Sequence, residues 1–149
     1  MALIMNANTT LNVLIVDDDE LVRTALLQAL ISAGHNVRSV DGGLAALSEI
    51  DGQIPDLLLS DLNMPGLSGF ELLATVRRRY PGIYVIAMSG SHFPDGVPTG
   101  VLADEFHEKK HGAGPLVQRV ADLVRQGQSS NTRKRRRPAN PRRPDSAAL

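Results

Sequence analysis

The segment from Leu57 to Gly69, LLLSDLNMPGLSG, constrains the fold of this chain more than any other. It opens with an uncharged, mostly apolar run that ends at Asp61, the pattern of a strand buried on both faces in a parallel sheet. The chain must turn soon afterwards, because Pro65 disfavours a helical Met64 and Gly66 follows. Asp61 is therefore predicted at the carboxyl end of a buried strand, where open α/β sheets place their ligands.

A carboxylate in that position is costly unless a cation or a hydrogen-bond donor meets it. The spacing alone leaves two interpretations of Asp61 open. It is either a functional carboxylate or an aspartate that caps the following helix. The rest of the chain favours the first interpretation.

Strand and helix patterns alternate along the sequence. Strands are predicted at 12–16, 36–40, 57–61, 83–88 and 105–109, and helices at 21–30, 43–50, 68–80 and 114–126. Gly34 is expected to end the first helix, and Pro81 stops the third. Apolar strands joined by crossover helices predict an α/β fold, a doubly wound parallel sheet with helices on both faces.

One of the predicted crossover connections has little helical pattern. The segment 91–100 contains Pro94, Gly96, Pro98 and Gly100, so its helix, the fourth in such a fold, is expected to be short or missing.

Charge divides the chain into two parts. Residues 1–127 hold nine Lys/Arg and fifteen Asp/Glu, a net charge of −6, whereas residues 128–149 hold seven Lys/Arg and one Asp, a net charge of +6. We therefore predict a flexible lead-in over 1–11, a folded domain over 12–127 and a disordered basic tail over 128–149. The absence of cysteine and of a membrane-length apolar run favours a cytoplasmic protein with no membrane partner.

Polar residues end three of the predicted strands. Asp17 and Asp18 follow the first, Asp61 ends the third and Ser89 follows the fourth. The carboxyl ends of parallel strands converge, and crowded carboxylates need a cation to offset their repulsion. Oxygen ligands without histidine or cysteine favour Mg²⁺ over zinc. Together with a lysine, this set of groups suits phosphoryl transfer.

Four motifs carry a resemblance to a known family, namely VLIVDDD at 13–19, LLSDLNMPGLSG at 58–69, VIAMSG at 85–90 and ADEFHEK at 103–109. In this order and spacing they resemble the receiver domain of bacterial two-component response regulators, over roughly residues 12–126. The resemblance is to the stand-alone type, similar to the chemotaxis regulators. The resemblance implies the flavodoxin-like strand order 2-1-3-4-5.

The resemblance also implies roles for individual residues. Asp61 would be the phosphoacceptor, receiving a phosphoryl group from a histidine kinase or phosphotransfer protein. The residues implied to bind Mg²⁺ are Asp17, Asp18, Asp61 and the backbone carbonyl of Asn63. Ser89 and Lys109 would meet the phosphoryl group, and Ser89 and Phe106 would form the switch.

Several of these roles have alternatives. Ser89 can simply cap a turn, and Phe106 taken alone is a core residue. Lys110 competes with Lys109 for the active lysine. The family usually has proline after that lysine, and without it a trans bond is expected, which could turn Lys109 elsewhere. His107 and His111 are predicted to be surface residues.

The sequence therefore predicts a single-domain response regulator that signals by protein contact to an unidentified target and is not an enzyme. One alternative is a degenerate receiver that acts as a phosphate-independent binding module. Another gives the basic tail a role in binding nucleic acid, without sequence preference, or an acidic partner.

Overall fold

The computed structural model describes residues 10–90 and 102–136, with side chains as far as Gly127. Its strands are β1 (Asn12–Val16), β2 (Asn36–Val40), β3 (Leu57–Asp61), β4 (Tyr84–Ser89) and β5 (Glu105–Glu108). Its helices are α1 (Glu20–Ser32), α2 (Gly43–Gly52), α3 (Gly69–Arg79) and α4 (Ala113–Arg136). The five strands form one parallel sheet in the order β2-β1-β3-β4-β5, which confirms the predicted architecture.

Alternate side chains of the central strands pack into two separate hydrophobic cores, one on each face of the sheet. Leu14 and Leu58 point to the core that includes Ile50 of α2 and Leu72 of α3. Their strand neighbours point to the opposite core, which α1 and α4 close with Leu26, Leu30, Leu116 and Val120. Because both faces are covered, β1 and β3 read as continuous apolar runs.

Side-chain and glycine caps set the ends of α1. Asp19 accepts the backbone N–H of Leu21 at its N-terminus. At the other end the N–H of Gly34 bonds to the carbonyl of Ile31, and that of His35 to the carbonyl of Leu30, a Schellman arrangement. Gly34 has φ +99°, which explains glycine there.

Helix α3 begins with a capping box directly after the turn that carries Pro65 and Gly66. Ser68 Oγ accepts the N–H of Glu71 at 3.2 Å, and the Glu71 carboxylate accepts the N–H of Ser68 at 3.1 Å. The two bonds satisfy donors that a helix N-terminus otherwise leaves free.

We expect Ser68→Ala to lower the free energy of unfolding by about 1 kcal/mol, because the N–H of Glu71 loses its acceptor. Urea unfolding measures the change. The matched control is Ser48→Ala, at an exposed position inside α2, which should be neutral or slightly stabilising because alanine is the better helix former. Equal losses in the two variants would contradict the assignment of the cap.

Most elements differ from their predicted bounds by one or two residues, and two differences matter for the site and the tail. Strand β5 ends at Glu108, and a 3₁₀ turn over Lys109–His111 follows. Helix α4 continues to Arg136 rather than ending at 126. The prediction of a disordered tail over 128–149 is therefore wrong for residues 128–136, which are helical. After Pro115, which lies in the first turn of α4, the sequence has no proline before Pro138, and basic residues are favourable near a helix C-terminus.

At the other end of the chain, the flexible lead-in predicted over 1–11 is described only for residues 10 and 11, and both are hydrogen-bonded to the domain. Thr10 Oγ1 donates to the carbonyl of Gly34, and the N–H of Leu11 donates to Nδ1 of His35. Residues 1–9 and 137–149 lie outside the described residues. So does 91–101, the segment of the weak or missing fourth helix.

Within the described ranges, no helix combines the length and the apolar composition needed to cross a membrane.

Candidate functional site

Three carboxylates meet at the carboxyl edge of the sheet. Strands β1 and β3 are neighbours, and Val16 pairs with Ser60, so Asp17 and Asp61 follow side by side. One carboxylate oxygen from each of Asp17, Asp18 and Asp61 lies within 4.8 Å of the others. Asp17 and Asp61 are buried, whereas Asp18 is exposed. The predicted acidic cluster therefore forms, with one of its three carboxylates facing solvent.

Local backbone bonds hold the two buried carboxylates in place. The N–H of Asp19 donates to Asp17 Oδ1 at 2.9 Å, and the N–H of Asn63 donates to Asp61 Oδ1 at 3.1 Å. Arg23 Nη1 donates to the backbone carbonyl of Asp17 at 2.7 Å. Each carboxylate is thus oriented by the turn that follows its own strand.

Lys109, not Lys110, enters the site. Its Nζ lies 2.9 Å from Asp17 Oδ2 and 3.1 Å from Asp61 Oδ2. Lys110 instead lies 3.4 Å from Glu108 and is mostly exposed. The described residues contain no cis peptide bond, so the bond after Lys109 is trans. The trans bond does not turn Lys109 away from the site, because the 3₁₀ turn directs its ammonium toward the carboxylates.

The charges in the site perturb one another. Burial raises the pKa of the Asp61 carboxyl and the Asp17 charge adds to the rise, although the Asn63 N–H and the Lys109 ammonium oppose it. Burial lowers the pKa of Lys109, but the ion pairs with the Asp17 and Asp61 carboxylates outweigh this effect, so the pKa lies above its usual value. Lys109 is therefore a fixed positive charge at neutral pH.

Ser89 is the last residue of β4, the strand that lies next to β3 on the side away from β1. Asp61 pairs with Met88, so Ser89 follows one position beyond it, fully buried. Asn63 Nδ2 donates to Ser89 Oγ at 3.3 Å. The structure thus brings the predicted hydroxyl, phosphoacceptor and lysine to one edge of the sheet.

The remaining predicted residues have mixed outcomes. Phe106 in β5 is half-buried and packs against the core beneath α2 and α3, so its role as a switch stays a prediction. His111 is exposed, as expected. His107 is not a plain surface residue, because it is half-buried, its Nε2 lies 3.1 Å from the carbonyl of Gly112, and burial lowers its pKa.

The donor set fits a hard divalent cation. Asp17 Oδ2 is buried and accepts no hydrogen bond of good geometry within the described part of the chain, although the Lys109 ammonium is near. An oxygen in that state has free lone pairs for a cation. The three clustered carboxylates have the oxygen-only chemistry that Mg²⁺ prefers. A contribution from the Asn63 carbonyl stays a prediction.

Two supporting residues were missed by sequence reasoning. Arg23 anchors the Asp17 backbone, and nothing in the sequence distinguishes it from a solvated helix residue. Gly69 opens α3 against the backbone of Asp61, where an added Cβ would lie 2.2 Å from the Asp61 carbonyl oxygen. A glycine at a helix start, where other residues are better helix formers, was the available signal.

Comparison with known proteins decides the family. The family model described as a response regulator receiver domain matches residues 13–119, which is most of the chain. The chain belongs to this family. The recognised motifs and the observed sheet order agree with that assignment.

Two response regulators illustrate the likeness of this receiver domain to curated relatives. The response regulator protein FleR of Pseudomonas aeruginosa is 42% identical over 77 residues, which is 52% of this chain and 16% of FleR. The transcriptional regulatory protein AfsQ1 of Streptomyces coelicolor is 31% identical over 123 residues, which is 81% of this chain and 54% of AfsQ1. The chain thus spans about half or less of the length of these relatives.

Solved receiver structures share the fold. TrrA of Thermotoga maritima, solved in complex with Mg²⁺–BeF, is 26% identical with a TM-score of 0.68, covering 75% of this chain and 97% of TrrA. The chemotaxis response regulator CheY4 of Vibrio cholerae is also 26% identical, with a TM-score of 0.67, covering 76% of this chain and 97% of CheY4.

Replacing Lys109 should reveal its electrostatic role in this receiver domain. We expect Lys109→Met to lower the free energy of unfolding by roughly 2 kcal/mol at neutral pH, because two buried carboxylates lose their cation. The difference in the free energy of unfolding between Lys109→Met and the parent should shrink towards pH 4. A carboxyl whose pKa is raised by folding lowers the free energy of unfolding only above its unfolded-state pKa, where the unfolded chain has already lost the proton. Urea unfolding at several pH values measures it.

Lys110→Met is the matched control, because Lys110 is mostly exposed and pairs, within the described part of the chain, with Glu108 outside the acidic cluster. Its stability should stay within about 0.5 kcal/mol of the parent at every pH. A larger loss in Lys110→Met than in Lys109→Met would contradict the assignment of the site lysine.

Proposed function

We propose that this receiver domain accepts a phosphoryl group on Asp61 from a histidine kinase or a phosphotransfer protein, and that it signals by protein–protein contact. The observation that carries the proposal is the surroundings of Asp61. It is a buried strand-end carboxylate with the Lys109 ammonium at 3.1 Å and two further acids beside it.

In the proposed step, an Asp61 carboxylate oxygen attacks the phosphorus atom of a phosphohistidine. The new P–O bond forms as the P–N bond breaks, and the imidazole leaves with the electron pair of that bond. The Asn63 N–H holds the carboxylate during the approach. A Mg²⁺ ion held by Asp17, Asp18 and Asp61 would supply positive charge for the phosphoryl oxygens when bound.

Two further groups suit the phosphorylated state. The Lys109 ammonium is a permanent cation already directed at Asp61, so it can pair with a phosphoryl oxygen. Ser89 carries a hydroxyl, which can donate to another such oxygen. Ser89 is the last residue of β4 and Lys109 directly follows β5, so both are held in place and need little reorganisation.

The known structures support the partner class. TrrA, which shares this fold, has been solved in complex with the histidine kinase ThkA. A receiver of this kind assists its own phosphorylation and turns over no separate substrate, so we propose that the domain is not an enzyme. Its downstream target would be a protein that distinguishes the two states of Asp61.

Incubation with acetyl phosphate tests the proposal. With Mg²⁺ present, intact-mass spectrometry should show one added phosphoryl group, which peptide mapping places on Asp61. With a chelator present, the adduct should be strongly reduced, because the clustered carboxylates are then uncompensated. Absence of an adduct in a protein that is folded by circular dichroism would overturn the proposal and favour a phosphate-independent binding module.

A further inference from the structure

The basic segment, residues 133–143, has no place in the site described above. It contains six arginines and one lysine and has no acidic, aromatic or large apolar residue. The domain before it, residues 1–127, carries a net charge of −6. Two regions of opposite charge therefore lie in one chain.

Helix α4 carries this charge away from the phosphoacceptor. The helix starts just after Lys109, at the carboxyl edge of the sheet. By Arg119 it has reached the start of β5, where Arg119 Nε donates to Glu105 Oε1 at 2.6 Å. It then continues to Arg136, about 25 Å further at 1.5 Å per residue. The basic segment thus begins beyond the opposite edge of the sheet from Asp61.

The segment also begins after the helix has left the core. Val124 is the last buried residue of α4 among those whose side chains are described, and residues 125–127 are exposed. A change of charge from 133 onwards therefore does not disturb the packed cores. Binding there leaves the acidic edge of the domain open.

The residue types narrow the partner. Arginine presents a planar fork that matches phosphate oxygens, and it outnumbers lysine here by six to one. A helix that lies in a membrane surface needs large apolar residues on one face, which this segment does not have. Binding of single strands relies on aromatic side chains that stack on bases, and these are missing as well.

We infer that the basic segment binds the phosphate backbone of double-stranded nucleic acid without sequence preference. Duplex DNA carries one negative charge about every 1.7 Å along its axis, a density that seven cations can neutralise locally. The acidic domain is repelled by the same phosphates, so the duplex should contact the segment and not the edge that carries Asp61. The inference does not depend on phosphorylation of Asp61.

Fluorescence anisotropy with a labelled random-sequence DNA duplex and the full chain tests the inference. Affinity should fall about 10³-fold between 50 and 200 mM salt if six of the seven basic residues meet phosphates. A variant with Gln at positions 133–137 should bind at least about 10²-fold more weakly at low salt. A change of duplex sequence should alter the affinity less than about threefold, because backbone contacts carry no sequence information.

A charge-matched pair of variants separates the segment from the overall charge. Arg135→Gln with Arg136→Gln should make the salt slope less steep by about two contacts. Arg78→Gln with Lys110→Gln removes the same charge from exposed positions of the domain and should leave the slope unchanged. Equal slopes in the two double variants would overturn the inference.

Two further outcomes decide the partner class. Vesicles of phosphatidylserine and phosphatidylcholine should bind more weakly than the duplex, and equal or tighter binding to vesicles would overturn the nucleic acid assignment. Asp61→Asn should bind the duplex like the parent. A loss of duplex binding in Asp61→Asn would show that the basic segment and the edge that carries Asp61 do not act independently. Labelling by acetyl phosphate is a separate experiment, so the two proposals can fail separately.

Discussion

Asp61→Asn should abolish phosphoryl labelling by acetyl phosphate. The amide keeps the shape of the carboxylate and an oxygen that can accept the N–H of Asn63, which Asp61 accepts at 3.1 Å. It has no ionised oxygen to attack phosphorus, so the adduct should fall below detection by intact-mass spectrometry. Asp17 and Asp18 are not expected to substitute, because in the proposed site they hold the cation.

The same substitution should not destabilise the domain. The raised pKa of Asp61 means that its ionised form is less favourable in the folded than in the unfolded chain. A neutral side chain removes that cost, so the stability of Asp61→Asn relative to the parent should rise as the pH increases from about 4, the ordinary pKa of aspartate. Thermal unfolding at pH 4 and pH 7 measures the difference.

Asp122→Asn serves as the control for labelling. Asp122 is a carboxylate of α4 that contacts Gln118 and Arg125, outside the acidic cluster. It should label like the parent. Labelling of Asp61→Asn at the parent level would show that another residue accepts the phosphoryl group, and mapping the adduct would identify it.

Gly69→Ala should destabilise the domain by about 3 kcal/mol, the upper part of the range for overpacking a core. A Cβ there would lie 2.2 Å from the Asp61 carbonyl oxygen and 2.5 Å from Leu62 Cα. Both obstacles are backbone atoms at the end of β3, so no side-chain rotation relieves the contact. The shift should lower Tm by on the order of 10 °C for a domain of this size.

Gly52→Ala is the matched control. Gly52 ends α2, has no atom within 4 Å of an added Cβ and does not have a positive φ. Alanine should therefore be neutral or stabilise the helix by up to about 1 kcal/mol. A loss in Gly52→Ala comparable with that in Gly69→Ala would show that the effect does not arise from the contact with Asp61.

Much of the site was predictable because it follows local rules. Asp61 could be placed at a strand end because an apolar run before it and Pro65–Gly66 after it define the strand and the turn. The same logic placed Asp17 after β1 and Ser89 at the end of β4. Helix bounds were predictable to within a few residues where a cap or a proline marks them, as at Ser68 and Gly34.

The sequence by itself determined that the carboxylates would lie at one edge of the sheet. Parallel strands that end in acidic residues bring those residues to the same edge, and the pairing of β1 with β3 then makes Asp17 and Asp61 neighbours. It also determined the charge of the basic segment and the apolar character of β1 and β3. These are properties of residue type and spacing, which need no knowledge of distant contacts.

Only the tertiary structure decided between Lys109 and Lys110. The two are adjacent in the chain, and the direction of each depends on the 3₁₀ turn at the end of β5 and on carboxylates that come from β1 and β3. It likewise decided that Gly69 abuts the Asp61 backbone and that α4 leaves the core after Val124. Such facts depend on contacts between residues far apart in sequence, which local patterns do not encode.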